Sequence, residues 1–206
     1  MTLIQDTPQH LLGGLNVALL ISHDSSREQM EKTRGALEEM GVTVSVLASG
    51  RSAVQVLDGD GLAQSMKPHL AVAVADPDAF DGVVVIASPQ GGARLALDGD
   101  ARQFLARLDA EAKPIGAISD GVLPVLSAGL GAERELSTPE HLVPAAEGAG
   151  AVVSQQAMAI DEHLISLTDP AGLDRFISHL KGLLAGRRVQ TMAPGGDVSS
   201  AVGEGG

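Results

Sequence analysis

The stretch Lys113-Pro114-Ile115-Gly116-Ala117-Ile118-Ser119-Asp120-Gly121 is an apolar segment that runs into a small, polar, glycine-bounded turn. A strand that ends in such a turn and passes into a helix lifts its turn side chain into the crevice beyond the sheet, where an enzyme places a nucleophilic serine or cysteine. Here the position holds Ser119, followed by Asp120. The chain has no cysteine, which excludes thiolate chemistry and leaves either a serine version of such a site or an emptied one. A serine hydroxyl attacks only when a base takes its proton, and Asp120 is too weak a base for that. His23 leaves the end of the first expected strand and would border the same crevice. Ser119, His23 and an acidic residue, with donors near Gly91 and Gly92, would compose an acyl-transfer site. The competing reading is a turn serine that only hydrogen-bonds locally.

Other residues near the same crevice carry two readings each. Asp24, Glu28 and Asp120 could converge with Ser119 around a divalent cation or a polyol, or serve as loop carboxylates and helix caps. Gly91-Gly92 offers backbone N–H groups to a phosphate, yet a single glycine pair lacks the spacing of a dinucleotide or Walker loop. The remaining histidines, His10, His69, His141, His163 and His179, are scattered without ligand spacing, so no metal is expected. Residues 22–26 invite comparison with an FMN-phosphate loop. The few aromatic rings form no cluster in the sequence that would grip an isoalloxazine, and no cofactor is expected.

Composition narrows the classes further. The formal net charge of −12 repels phosphate backbones and anionic lipid, which argues against nucleic-acid and membrane-surface partners. Three Phe, no Tyr and no Trp leave a core of Val, Leu, Ile and Ala and remove the usual stacking platforms for nucleobases. There is no long apolar run and no basic segment leading an apolar block at the start, so a cytoplasmic location is expected.

The elements that must position the turn follow an alternating pattern. Residues 1–14 read as an N-terminal arm closed by Gly13-Gly14. Residues 15–21 form an almost continuous apolar run, as in a parallel strand buried on both faces. A helix is expected over residues 27–40, capped by Gly41, and a second strand over 42–47. Residues 54–57 and 70–74 read as short strands around Asp58-Gly59-Asp60-Gly61, a hairpin-like insertion. Strand 82–87, a loop at 88–92, a helix over 100–112 and the strand before Ser119 resume the pattern. A short helix over 122–128, a strand at 151–154 and a late hairpin around Asp161-Glu162 follow. A last helix starts near Thr168-Asp169-Pro170, with Leu173, Phe176, Ile177, Leu180 and Leu184 as its apolar stripe. Residues 189–206, rich in glycine and serine, are expected to be disordered. One domain over residues 15–188 accounts for the rest.

The order of these elements, together with Leu37-Glu38-Glu39-Met40-Gly41, Phe80-Asp81-Gly82-Val83-Val84-Val85, Gly91-Gly92, the 113–118 strand, Leu136-Ser137-Thr138-Pro139 and Asp161-Glu162-His163-Leu164-Ile165-Ser166, resembles the ThiJ/PfpI superfamily. These proteins are flavodoxin-like relatives of class I glutamine amidotransferases. Within the superfamily, Leu97-Asp98-Gly99-Asp100-Ala101, its helix and the turn with Asp120 are most similar to the C-terminal domain of large-subunit catalases. The resemblance implies an α/β three-layer sandwich, a mostly parallel flavodoxin-like sheet with helices on both faces. In active superfamily members a cysteine, a following histidine and a glutamate form the site. Carried over by position, these become Ser119, Asp120, and Glu28 or Gln29. The resemblance therefore implies a non-enzymatic, catalase-accessory-like or stress-associated interaction and stabilisation domain. Its expected partners are a second copy of the chain, protein clients or a haem catalase. The alternative it leaves is a serine-dependent hydrolase or carbonyl-processing enzyme using Ser119.

Overall fold

The computed structural model describes residues 11–192. In chain order the strands are β1 (Asn16–Ile21), β2 (Ser25–Ser26), β3 (Thr43–Ala48), β4 (Val54–Leu57), β5 (Ala63–Met66), β6 (Leu70–Ala71), β7 (Gly82–Ala87), β8 (Ile115–Ser119), β9 (Glu135–Leu136), β10 (Val152–Val153), β11 (Met158–Asp161) and β12 (Leu164–Leu167). The α-helices are α1 (Arg27–Glu38), α2 (Pro89–Leu97), α3 (Gly99–Ala110), α4 (Val122–Ser127), α5 (Val143–Gly148) and α6 (Leu173–Met192). The main sheet has seven strands in the order β11-β12-β8-β7-β1-β3-β6, parallel except for β11.

Strand residues alternate between two buried layers because successive side chains leave opposite faces of a sheet. On one face Val17, Leu19, Ile21, Val84, Ile86 and Ile118 pack with Met30 and Leu37 of α1 and Phe176, Leu180 and Leu184 of α6. On the other, Ala18, Leu20, Val83, Val85 and Ala117 pack with Leu95 of α2, Leu105 of α3 and Val125 of α4. Helices therefore cover both faces, and the expected three-layer α/β sandwich is the observed one. The missing aromatics are compensated by close approach. The Phe176 ring lies so near Gly116 that a Cβ there would sit 2.6 Å from it, and Phe80 and Phe104 pair edge to face at 5.6 Å.

Several boundaries differ from expectation for physical reasons. Residues 70–74 are not one strand: β6 pairs with β3 over two residues and a 3-10 turn, Val72–Val74, follows. The partner of β4 in the inserted hairpin is β5, which is exposed and polar along most of its length and so carries no apolar alternation. Residues 89–92, expected as part of a loop at 88–92, instead open α2 (Pro89–Leu97), since Pro89 occupies the first turn and the Ser88 hydroxyl accepts from the Gly91 N–H. The last helix begins at Leu173, after a 3-10 turn at Pro170–Gly172, and runs to Met192, beyond the expected limit at 188. The rest of the expected tail, residues 193–206, lies outside the described residues, as do residues 1–10 of the arm. Within that arm Leu12 is 1% exposed, its N–H donating to the Met40 carbonyl, so the packed body begins before Leu15. Among the described residues no helix is long and apolar enough to cross a membrane.

Candidate functional site

The turn after β8 is held by contacts that only glycine permits. Ser119 pairs in register with Ala87 of β7 and then turns with φ of 54°, a left-handed conformation. For a residue with a Cβ this conformation costs about 1–2 kcal/mol, which the surrounding packing must hold in place. The Gly121 N–H donates to the Ile118 carbonyl, and a Cβ on Gly121 would lie 2.3 Å from the Val85 carbonyl oxygen. From the other side, a Cβ on Gly92 of α2 would lie 2.4 Å from the Asp120 carbonyl oxygen. β7 and α2 thus clamp the elbow between two backbone approaches.

Ser119 is half-buried, and its hydroxyl makes no hydrogen bond among the described residues. Asp120 is buried at 5% exposure, and its Oδ1 lies 2.6 Å from Nε2 of His141. His141 sits on the 3-10 turn Glu140–Leu142, and its side chain is about half exposed. The position that the superfamily gives to a histidine therefore holds an aspartate, and a histidine reaches it from 21 residues further along the chain. Sequence reasoning passed over His141, because nothing in its spacing marks a partner that only the packing of α4 against α5 brings close.

The other expected site residues are placed elsewhere. Nδ1 of His23 accepts a hydrogen bond from the Gln55 N–H at 3.1 Å, tying the ring to the inserted hairpin, and no hydrogen bond joins it to Ser119 among the described residues. Its carbonyl accepts from the Ser88 hydroxyl. Asp24 adopts φ of 65°, and its N–H donates to the Gln55 carbonyl. Glu28 is exposed in the first turn of α1, where its charge complements the helix dipole, whereas Gln29 is buried. Of the two residues left open for the glutamate position, Gln29 is thus the one inside. Asp24, Glu28 and Asp120 do not form a cation cluster; among the described residues no three such side chains gather as metal ligands. Gly91 and Gly92 are not a phosphate cradle either. Their N–H groups are taken by the Ser88 hydroxyl and carbonyl, and their bare α-carbons admit the Ser22 hydroxyl and the Asp120 backbone.

A network of serines closes the loop after β1 onto the end of β7. The buried Ser25 hydroxyl donates to the Ile86 carbonyl at 2.6 Å and accepts from the Ser22 N–H at 3.0 Å. These bonds satisfy backbone groups at the sheet end and position α1 and α2 on either side of the crevice.

A seven-stranded, mostly parallel sheet between two helical layers, with a left-handed elbow at the end of a central strand, defines the class of this protein. The chain belongs to the DJ-1/PfpI family, which it matches over residues 16–181. Solved structures of similar fold include a two-domain protein of Anabaena variabilis with DJ-1/ThiJ/PfpI-like and ferritin-like domains (TM-score 0.74, 20% identity, 81% of this chain and 49% of that one). A ThiJ/PfpI domain protein of Brachyspira murdochii aligns with TM-score 0.73 and 16% identity over 83% of this chain and 96% of its own. A ThiJ/PfpI family protein of Pseudomonas syringae gives TM-score 0.72 and 21% identity over 97% of this chain and 82% of its own. This chain spans about half the length of the Anabaena protein. No curated protein matches it significantly.

Proposed function

We propose that this chain is a non-enzymatic member of the DJ-1/PfpI family, an interaction and stabilisation domain in which the elbow survives as architecture. The observation that carries this reading is the Asp120–His141 pair. At the place where a nucleophile would need an orienting histidine, the imidazole instead covers a buried carboxylate through Nε2 at 2.6 Å. His23, the other histidine expected to serve Ser119, spends its acceptor nitrogen on Gln55. The partners this reading calls for are a second copy of the chain, protein clients or a haem catalase, in a role like that of a catalase accessory domain or a stress-associated domain.

Intact-mass detection of labelling by a fluorophosphonate probe tests it, with the native chain and Ser119→Ala in parallel. No labelling of either protein is expected. Stoichiometric labelling that disappears in Ser119→Ala would overturn the reading.

A second reading, a Ser119-dependent hydrolase or carbonyl-processing enzyme, draws on the same neighbourhood. An acid–imidazole pair stands directly after a serine held at positive φ, an arrangement that recurs where a histidine acts as base for a hydroxyl. The labelling experiment separates the two.

A further inference from the structure

Beyond the ends of β1 and β3, on the far side of His23 from the elbow, lies a hollow of about 140 Å³. Its floor is apolar, made by Ile21, Ala48 and Val54, and its rim is polar, made by Ser22, His23, Ser49, Gly50, Ser52 and Arg94. No carboxylate lines it, although the chain carries 26 Asp and Glu against 14 Lys and Arg. Arg94 makes no ion pair among the described residues, while most other arginines of the body are paired.

The rim is a set of hydrogen-bond donors. Because Nδ1 of His23 accepts from the Gln55 N–H, the neutral ring carries its proton on Nε2, which leaves that nitrogen as a fixed donor. The loop at residues 49–52 follows β3, and the backbone N–H groups of Gly50 and Ser52, which line the hollow, donate to no other group among the described residues. The hydroxyls of Ser49 and Ser52 are equally unengaged there. Free backbone N–H groups at the rim suit an anion, and a guanidinium fork suits an oxyanion. The hollow lies beyond the carboxyl ends of two parallel strands, β1 and β3, the end of an open α/β sheet at which ligands bind, and one strand pair away from the reversal of strand order between β1 and β7. Here β1 has β3 on one side and β7 on the other, and Arg94 comes from α2, the helix that follows β7.

We infer that this hollow binds a small oxyanion, a phosphate or the phosphate group of a small monoester, between Arg94, the His23 Nε2–H and the 49–52 loop. The apolar floor leaves room for a short carbon chain beside the anion. This site does not depend on whether Ser119 is reactive.

The test is calorimetric titration of the full chain with inorganic phosphate and, separately, with a three-carbon phosphate monoester, each against chloride at matched ionic strength. Saturable binding is expected, weakened about tenfold or more in Arg94→Gln, since a charge-assisted contact of this kind is worth roughly that factor. Arg102→Gln on α3, which removes the same charge outside the hollow, is expected to bind as the native chain does. Tighter binding of the monoester assigns the site to an organophosphate, and equal binding assigns it to free phosphate. No binding above chloride, or equal weakening by Arg94→Gln and Arg102→Gln, would overturn the inference. Arg94 is exposed, so neither result is confounded by loss of the fold.

Discussion

Nε2 of His141 and Oδ1 of Asp120 lie 2.6 Å apart, joining a half-exposed imidazole to a carboxylate that is 5% exposed. The pair links the elbow after β8 to the 3-10 turn before α5. It is the one side-chain hydrogen bond that the structure gives Asp120 among the described residues.

Removing the imidazole leaves the Asp120 carboxylate buried without that partner. His141→Ala is expected to lower stability by about 1–2 kcal/mol, the usual penalty for an orphaned buried acceptor at a site with partial solvent access. Asp120→Asn keeps a hydrogen-bonding group facing the ring and should cost less. Urea denaturation of the two variants checks the order; equal stability of His141→Ala and native protein would show that the pair contributes nothing to the fold.

The left-handed backbone at Ser119 makes a second expectation. Ser119→Gly removes the Cβ that disfavours φ of 54° and is expected to leave stability unchanged or raise it by up to about 1 kcal/mol, net of the entropy glycine adds to the unfolded chain. Ser119→Val, a β-branched residue in the same conformation, should destabilise by about 1–3 kcal/mol. Thermal unfolding of both variants reads the contrast, and the opposite ranking would mean that the turn relaxes out of the left-handed region at little cost.

Two helical glycines are expected to respond to alanine with opposite signs. A Cβ on Gly92 would press on the Asp120 carbonyl oxygen, which belongs to the clamped elbow and cannot swing away, so Gly92→Ala should cost about 2 kcal/mol or more. Gly35, inside α1, has nothing within 4 Å of its added Cβ, and Gly35→Ala should stabilise by about 0.5–1 kcal/mol through helix propensity and a less free unfolded chain. Midpoints of chemical denaturation for the two variants, measured under one condition, decide it.

The layers of the fold were legible in the chain because burial on both faces of a parallel sheet leaves an unmistakable mark. The runs that became β1, β7 and β8 are nearly unbroken in apolar residues, and the stripe from Leu173 to Leu184 has helical period. The helix α2 was not legible, since Gly91 and Gly92 have poor helix propensity and the reason for them, backbone contact with Ser22, His23 and Asp120, exists only once the sheet is built. β5 was hidden for the reverse reason, being an exposed edge strand with little to bury.

The candidate site divides in the same way. Sequence by itself determined the chemistry that is possible: no thiol, a serine and an aspartate at the elbow, and few aromatic rings, because these are matters of residue type. Which groups meet was decided only by tertiary structure. His23 turned to Gln55, Gln29 rather than Glu28 went inside, and His141 came to Asp120, because side-chain pairing depends on how loops cross the sheet ends and not on spacing along the chain.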